Sequence, residues 1–192
     1  MGMQVSLITG PAVEPLTDVQ AAAQARLNDD PDELDLLAGY VAAARAHVES
    51  YLRAQLITQT WRLSVSTLGR GVRLPFWPVQ SVDQVTYVDQ DGARQTLAAD
   101  QYRLQWHDGE VYLVPGYGVS WPAHRVDAGS IEIDVVAGFG DAGADLPPDV
   151  LQAVRLLVAH SIEHREAVIT GTISGALPLG VRALLDPHRR WV

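Results

Sequence analysis

The chain has 192 residues, with 14 basic and 23 acidic side chains, six His and no Cys, for a formal net charge of −9. Without cysteine, a disulfide framework, a thiolate nucleophile and a Cys-rich zinc site are excluded. Every basic residue is Arg, and the acidic balance speaks against the broad basic face of a sequence-reading nucleic-acid binder.

Residues 1 to 10 have no basic n-region and no apolar run of signal-peptide length, and no stretch approaches the roughly 20 apolar residues that cross a bilayer. A soluble, unexported chain with no membrane partner is expected. The charge is uneven: residues 1 to 37 hold seven acids against Arg26, while the last 13 residues set Arg182, Arg189 and Arg190 against Asp186. The two ends therefore suit different partners, or different faces of neighbouring copies.

A short helix is predicted from Thr17 to about Leu27, with Val19, Ala22, Ala23 and Leu27 facing inward. A longer one begins near Asp30, where Asp30-Pro31-Asp32-Glu33 supplies an N-cap, a Pro at the first helical position and a capping-box Glu. Leu34, Leu37, Val41, Ala44, Val48, Tyr51 or Leu52, and Gln55 or Leu56 follow at three- and four-residue steps, which places one apolar stripe on that helix. From Thr60 to about Phe139 the period changes to two. Residues 61–65, 82–88, 102–104, 110–114 and 131–135 read as strands of a compact antiparallel unit. Asp91-Gly92 signals a hairpin of type I′, which needs positive φ at both central positions. After the glycine-rich stretch 138–145, Leu146-Pro147-Pro148-Asp149 opens a second long helix with Val150 or Leu151, Val154, Leu157 or Val158, and Ile162 on its apolar face. That helix should fade near Gly171. A small, flexible link from Gly171 to Gly175 and then Pro178 lead into a short helix (Val181, Leu184, Leu185) stopped by Asp186-Pro187.

Helices at both ends with strands between them imply an α+β fold. We expect a helical core over 13–58 and 146–192, built from two long packed helices and shorter terminal ones, with an antiparallel β insertion over 59–139.

Three constellations bear on chemistry. His160-Ser161-Ile162-Glu163-His164 fits the H-x-x-E-H pattern of inverted zinc peptidases, because His residues four apart on a helix can share a metal. A third ligand is not evident, so these residues read as the polar edge of an amphipathic helix, with a small metal-dependent hydrolase as the enzymatic alternative. Asp89, Asp91 and Gly92 resemble the start of a calcium loop, but position 12 of such a loop is Asp100 instead of Glu, and the hairpin accounts for them better. Trp61, Trp77, Trp106, Trp121 and Tyr117 lack interleaved basic residues and read as core and interface anchors before a stacking platform. No nucleophile elbow, P-loop or dinucleotide fingerprint occurs. We expect no enzyme activity, no catalytic or metal site, and no cofactor.

Taken in order, several segments resemble the head-to-tail connector, or adaptor, family of long-tailed double-stranded DNA phages and gene transfer agents. They are Glu14-Pro15-Leu16-Thr17; Ala42-Ala43-Ala44-Arg45 with Val48-Glu49; Gln59-Thr60-Trp61-Arg62-Leu63; residues 74–79 and 85–92; Ala137-Gly138-Phe139-Gly140; Leu146-Pro147-Pro148; Ala159-His160 through His164-Arg165-Glu166; and Leu184-Leu185-Asp186-Pro187. The resemblance covers nearly the whole chain. It implies a single connector domain over 1–192 and a structural role in the virion neck, reached from the host cytoplasm during assembly. About a dozen copies would form a homo-oligomeric ring between the portal protein and the tail or stopper proteins, with double-stranded DNA passing transiently through the lumen. Acidic walls suit that passage, since many phosphate contacts from Arg would hold the duplex. A tail-proximal binding module is the other non-enzymatic reading. On local composition, Leu184, Leu185, Arg189, Arg190 and Trp191 are expected to dock on portal or tail, from a segment loosely held in the free subunit.

Overall fold

The computed structural model describes residues 3–25, 31–163 and 179–190. The Asp30 cap, the end of the first predicted helix at Leu27, His164, the 171–175 link and Trp191 lie outside them. The chain divides into two compact units, one formed by residues 1–10 and 58–138, the other by 11–57 and 139–192.

The first unit is antiparallel β. Its strands are β1 (Gln4–Thr9), β2 (Gln59–Val65), β3 (Val72–Leu74), β4 (Val79–Val88), β5 (Arg94–Thr96), β6 (Tyr102–His107), β7 (Glu110–Pro115) and β8 (Ile131–Ala137). They form a five-stranded sheet in the order β1-β2-β8-β4-β5 and a three-stranded sheet in the order β3-β7-β6. The alternation in β8 explains its central place. Ile131, Ile133, Val135 and Ala137 are fully buried, while Glu132 and Asp134 point to the other face. On that polar face Arg62 of β2 lies opposite Asp134 and bonds it at 2.7 Å, and Glu132 receives Arg62 at 3.2 Å and Arg94 of β5 at 2.6 Å. Cross-strand pairs of opposite charge thus lock register where no core does. The apolar faces of both sheets contribute to one core, with Leu63, Val85, Ile131 and Ile133 from the larger sheet and Leu74, Val111 and Leu113 from the smaller.

All five predicted strands are present. β1, β3 and β5 are additions, each at a sheet edge: every residue of β1 and β5 is exposed, and β3, with Val72 and Leu74 buried, is only three residues long. The hairpin at Asp91-Gly92 is also present, but its type is corrected. Gly92 has φ 92° and Asp91 is not in the positive region. Gly92 N–H donates to Asp89 O at 3.1 Å and Asp89 N–H to Ala93 O at 2.9 Å, which is a three-residue loop with a bulge at the glycine. Positive φ at two successive residues occurs instead at Asp108 (49°) and Gly109 (75°), in the tight turn between β6 and β7.

The second unit is helical among the described residues: α1 (Asp18–Ala25), α2 (Pro31–Leu52), α3 (Pro148–Glu163) and α4 (Leu179–Leu185), the last continued by a 3₁₀ turn over Asp186–His188. α1 is capped reciprocally, with Gln20 N–H donating to Thr17 Oγ1 and Thr17 N–H to Gln20 Oε1. The inward face is met in part: Ala22 is buried as expected, together with Leu16 and Ala21, whereas Val19 is 79% exposed and Ala23 is exposed. The packed side of α1 is therefore small, which lets it approach both α2 and α3. In α2 the stripe is Leu37, Val41, Ala44, Val48 and Leu52. The helix stops at Leu52, short of the predicted end, because Arg53 takes φ 55° and Ala54 N–H returns to Glu49 O at 3.1 Å, a Schellman-type stop. α2 packs against α3, whose buried residues are Val150, Ala153, Val154 and Val158.

The family-like residues at 14, 45 and 49 meet in this unit. Arg45 Nε lies 2.8 Å from Glu14 Oε2 and Arg45 Nη1 2.9 Å from Glu49 Oε2, while Glu49 Oε1 accepts Leu56 N–H at 2.9 Å. Burial works against the Arg45 charge, but bonding to Glu14 and the charges of both carboxylates together raise its pKa, so the guanidinium is held ionised. One cation thereby ties the segment before α1 to α2 and to the chain leaving it. In the glycine-rich loop, a Cβ at Gly143 would fall 1.9 Å from the Pro15 carbonyl oxygen, so only glycine permits that backbone approach. Among the described residues no helix is long and apolar enough to cross a membrane.

Candidate docking site

The predicted docking residues lie on α4 and the turn after it. Leu185 is fully buried beside Val181, and α4 packs on α3 and α2. Leu184 is half-buried. Tyr51 near the end of α2 donates its hydroxyl hydrogen bond to Asp186 Oδ1, and the Arg189 guanidinium sits over the Tyr51 ring at 4.9 Å from its centroid. Arg190 N–H reaches Leu52 O at 3.4 Å, supplying a donor to an orphan carbonyl at the α2 C-terminus, where cations are also favoured by the helix dipole. His188 Nε2 lies 3.6 Å from Asp149 Oδ2 in the first turn of α3.

This geometry corrects the expectation of a loosely held end over the described part of the segment. Leu185 is an anchor of its own subunit and is not available to a partner, because the apolar groups of α4 find their cover on helices distant in sequence. On the outward side of α4 and its turn, Arg182 and Ala183 are exposed, Leu184, Asp186, Arg189 and Arg190 are half-buried, and Arg182 Nε lies 3.6 Å from Asp186 Oδ2.

The other constellations resolve separately. His160 and Glu163 are both exposed near the end of α3, and among the described residues no group of three or more His, Asp or Glu is placed to hold a metal. Asp89 is occupied by the hairpin: Oδ1 accepts Asp91 N–H at 3.0 Å and Ala93 N–H at 2.9 Å, and Oδ2 accepts from Gln95 at 2.9 Å. The Gln95 bond and then the Ala93 amide hold its carboxyl below the usual value. Trp61 stacks on Phe76 with centroids 5.9 Å apart, and Trp77 and Trp121 lie against the same core, whereas Trp106 and Tyr117 are 58% and 88% exposed. Arg103 covers one side of Tyr117 at 4.5 Å. The aromatic set is thus divided between core and surface.

β1 is not among the strands expected from the sequence. The alternation Gln4-Val5-Ser6-Leu7, without charge or proline, is the signal that marks it as a strand.

No protein-family model and no curated protein matches the chain. Solved structures do. The chain is similar to one in the neck of an empty gene transfer agent particle computed with C6 symmetry, at 29% identity and a TM-score of 0.79, covering 98% of this chain and 96% of that one. It is similar at 28% identity and a TM-score of 0.77 to a chain in the virion of a native gene transfer agent, with the same coverage. A native neck computed with C12 symmetry gives 28% identity and a TM-score of 0.71, again over 98% and 96% of the two chains. Both units and their order are therefore shared with those chains, and the likeness supports a structural neck protein in place of an enzyme.

Proposed function

We propose that this chain is a structural virion protein that forms the head-to-tail connector ring of a phage-like particle, joining portal to tail or stopper proteins while DNA passes through its lumen. The observation that carries the reading is the likeness to gene transfer agent neck chains over 98% of this chain, through both units. Those necks were computed with C6 and C12 symmetry, which supports a ring of about twelve identical copies. A net charge of −9 per copy favours an unobstructed channel, since acidic walls do not trade counterions with phosphates. The strip of Arg182, Leu184, Arg189 and Arg190 is the surface we assign to portal or tail docking, with Trp191 adjoining it in sequence.

Deleting the gene in the producing host tests this role. The expected product is DNA-filled heads without tails, restored by supplying the chain in trans. Tailed particles at undiminished yield would refute the connector role.

A further inference from the structure

β1 lies at the end of the five-stranded sheet, bonded to β2 on one side and with no strand on the other among the described residues. All six of its residues are exposed. Val5 stands opposite Leu63 and Leu7 opposite Trp61, on the face that carries the core. Yet Val5 is 41% and Leu7 48% exposed while Leu63 is fully buried. The apolar face of the sheet runs past its own cover at this edge. Charges, prolines and bulges normally blunt a free edge. β1 has neither charge nor proline, and its one irregularity is the register shift between Leu7 and Thr9. The opposite side of the same sheet is defended: β4 is bulged twice and exposes Asp83, and β5 has only three residues, one of them Arg94.

We propose that β1 joins neighbouring subunits by pairing edge to edge with β6 of the adjacent copy, an inference that rests on the ring reading above. A closed ring of identical subunits needs two different complementary faces on each copy, whereas a β1 to β1 contact is two-fold and stops at a dimer. Among the described edges, β3 and β5 are three residues long and the open part of β4 is bulged. β6 has six residues, as β1 does, lies at the end of its sheet, and pairs with β7 in unbroken register. It repeats the same overhang: Trp106, opposite Val111 on the core face, is 58% exposed while Val111 is 1% exposed. Joining the two edges satisfies both outer rows of backbone donors and acceptors and gives Val5, Leu7 and Trp106 apolar cover.

The absence of native cysteine makes the contact readable by disulfide trapping. Ser6→Cys is combined with Gln105→Cys or with His107→Cys, the second pair allowing for register, and purified particles are oxidised and run without reductant. Ladders of covalent multimers that require thiols on both strands are expected. A dimer from Ser6→Cys alone would show β1 pairing with itself and overturn the proposal, as would an intact ring in the microscope with no ladder from either pair. Absence of the chain from the neck would instead overturn the ring reading. As a second readout, Leu7→Lys should lower incorporation into necks roughly tenfold or more with an unchanged melting temperature, since hot-spot loss acts on association. Normal incorporation of Leu7→Lys would count against β1.

Discussion

The two ends of the chain invert what their compositions suggest. Residues 179–190 contain a short helix after a small-residue stretch and end in arginines, a composition that suggests a mobile arm. They are instead fastened by Leu185, by Asp186 on Tyr51, by Arg189 over the same ring and by Arg190 on Leu52. Residues 4–9 are a regular strand with every side chain exposed. Apolar content therefore does not decide which segment is an interface. What decides it is whether the subunit's own distant elements supply cover, and α2 and α3 do so for α4 while nothing described does so for the outer edge of β1.

Truncating one apolar side chain at each end separates those roles most sharply. Leu185→Ala should destabilise the subunit by about 2–5 kcal/mol, the range for deleting a fully buried leucine side chain, read as a lower denaturation midpoint. Leu7→Ala should change stability by only about 0.5 kcal/mol, as exposed substitutions do, while weakening neck assembly. Tyr51→Phe comes between them, at about 1.5–3 kcal/mol for a hydrogen bond to a charged group. Equal stability losses at Leu185 and Leu7 would erase the distinction between the ends.

The smallest expected effect is a pH dependence within the β unit. Asp89 has a lowered pKa in the fold because Gln95 and the Ala93 amide bond the carboxylate. A depressed folded value means that its contribution is present above the unfolded carboxylate value of about 3.9 and is lost as pH falls through the folded one. Asp89→Asn should therefore be slightly less stable than the parent at neutral pH and converge with it in acid. A gap that widens on acidification would contradict the assignment.

The legible part of the fold was the part whose burial is one-sided and repeated. β8 alternates from Ile131 to Val135, and Leu37, Val41, Ala44, Val48 and Leu52 hold a helical spacing, so both are readable without a structure. The choice of Leu52 over Tyr51 was not, because each suits the spacing and only the positions of Asp186 and Arg189 give Tyr51 its polar partners. The face of α1 is legible only at Ala22, for a related reason. Val19 looks like a core residue by type, but Thr17 and Gln20 set the helix start, and the inner face is left to alanines that permit close packing. Arg45 between Glu14 and Glu49 was visible only as family-like residues, since their meeting depends on chain segments 31 residues apart. Among the residues expected to dock, local composition does not show that Leu185 faces inward, because its cover comes from helices distant in sequence.

The most direct test of the central claim is a reconstruction of the neck from particles of the producing host, without imposed symmetry, followed by tracing of this chain. The expected result is a closed ring of about twelve copies between portal and tail components, with DNA in the lumen and adjacent copies touching through different faces. A chain found outside the neck, or present only as two-fold dimers, would contradict it.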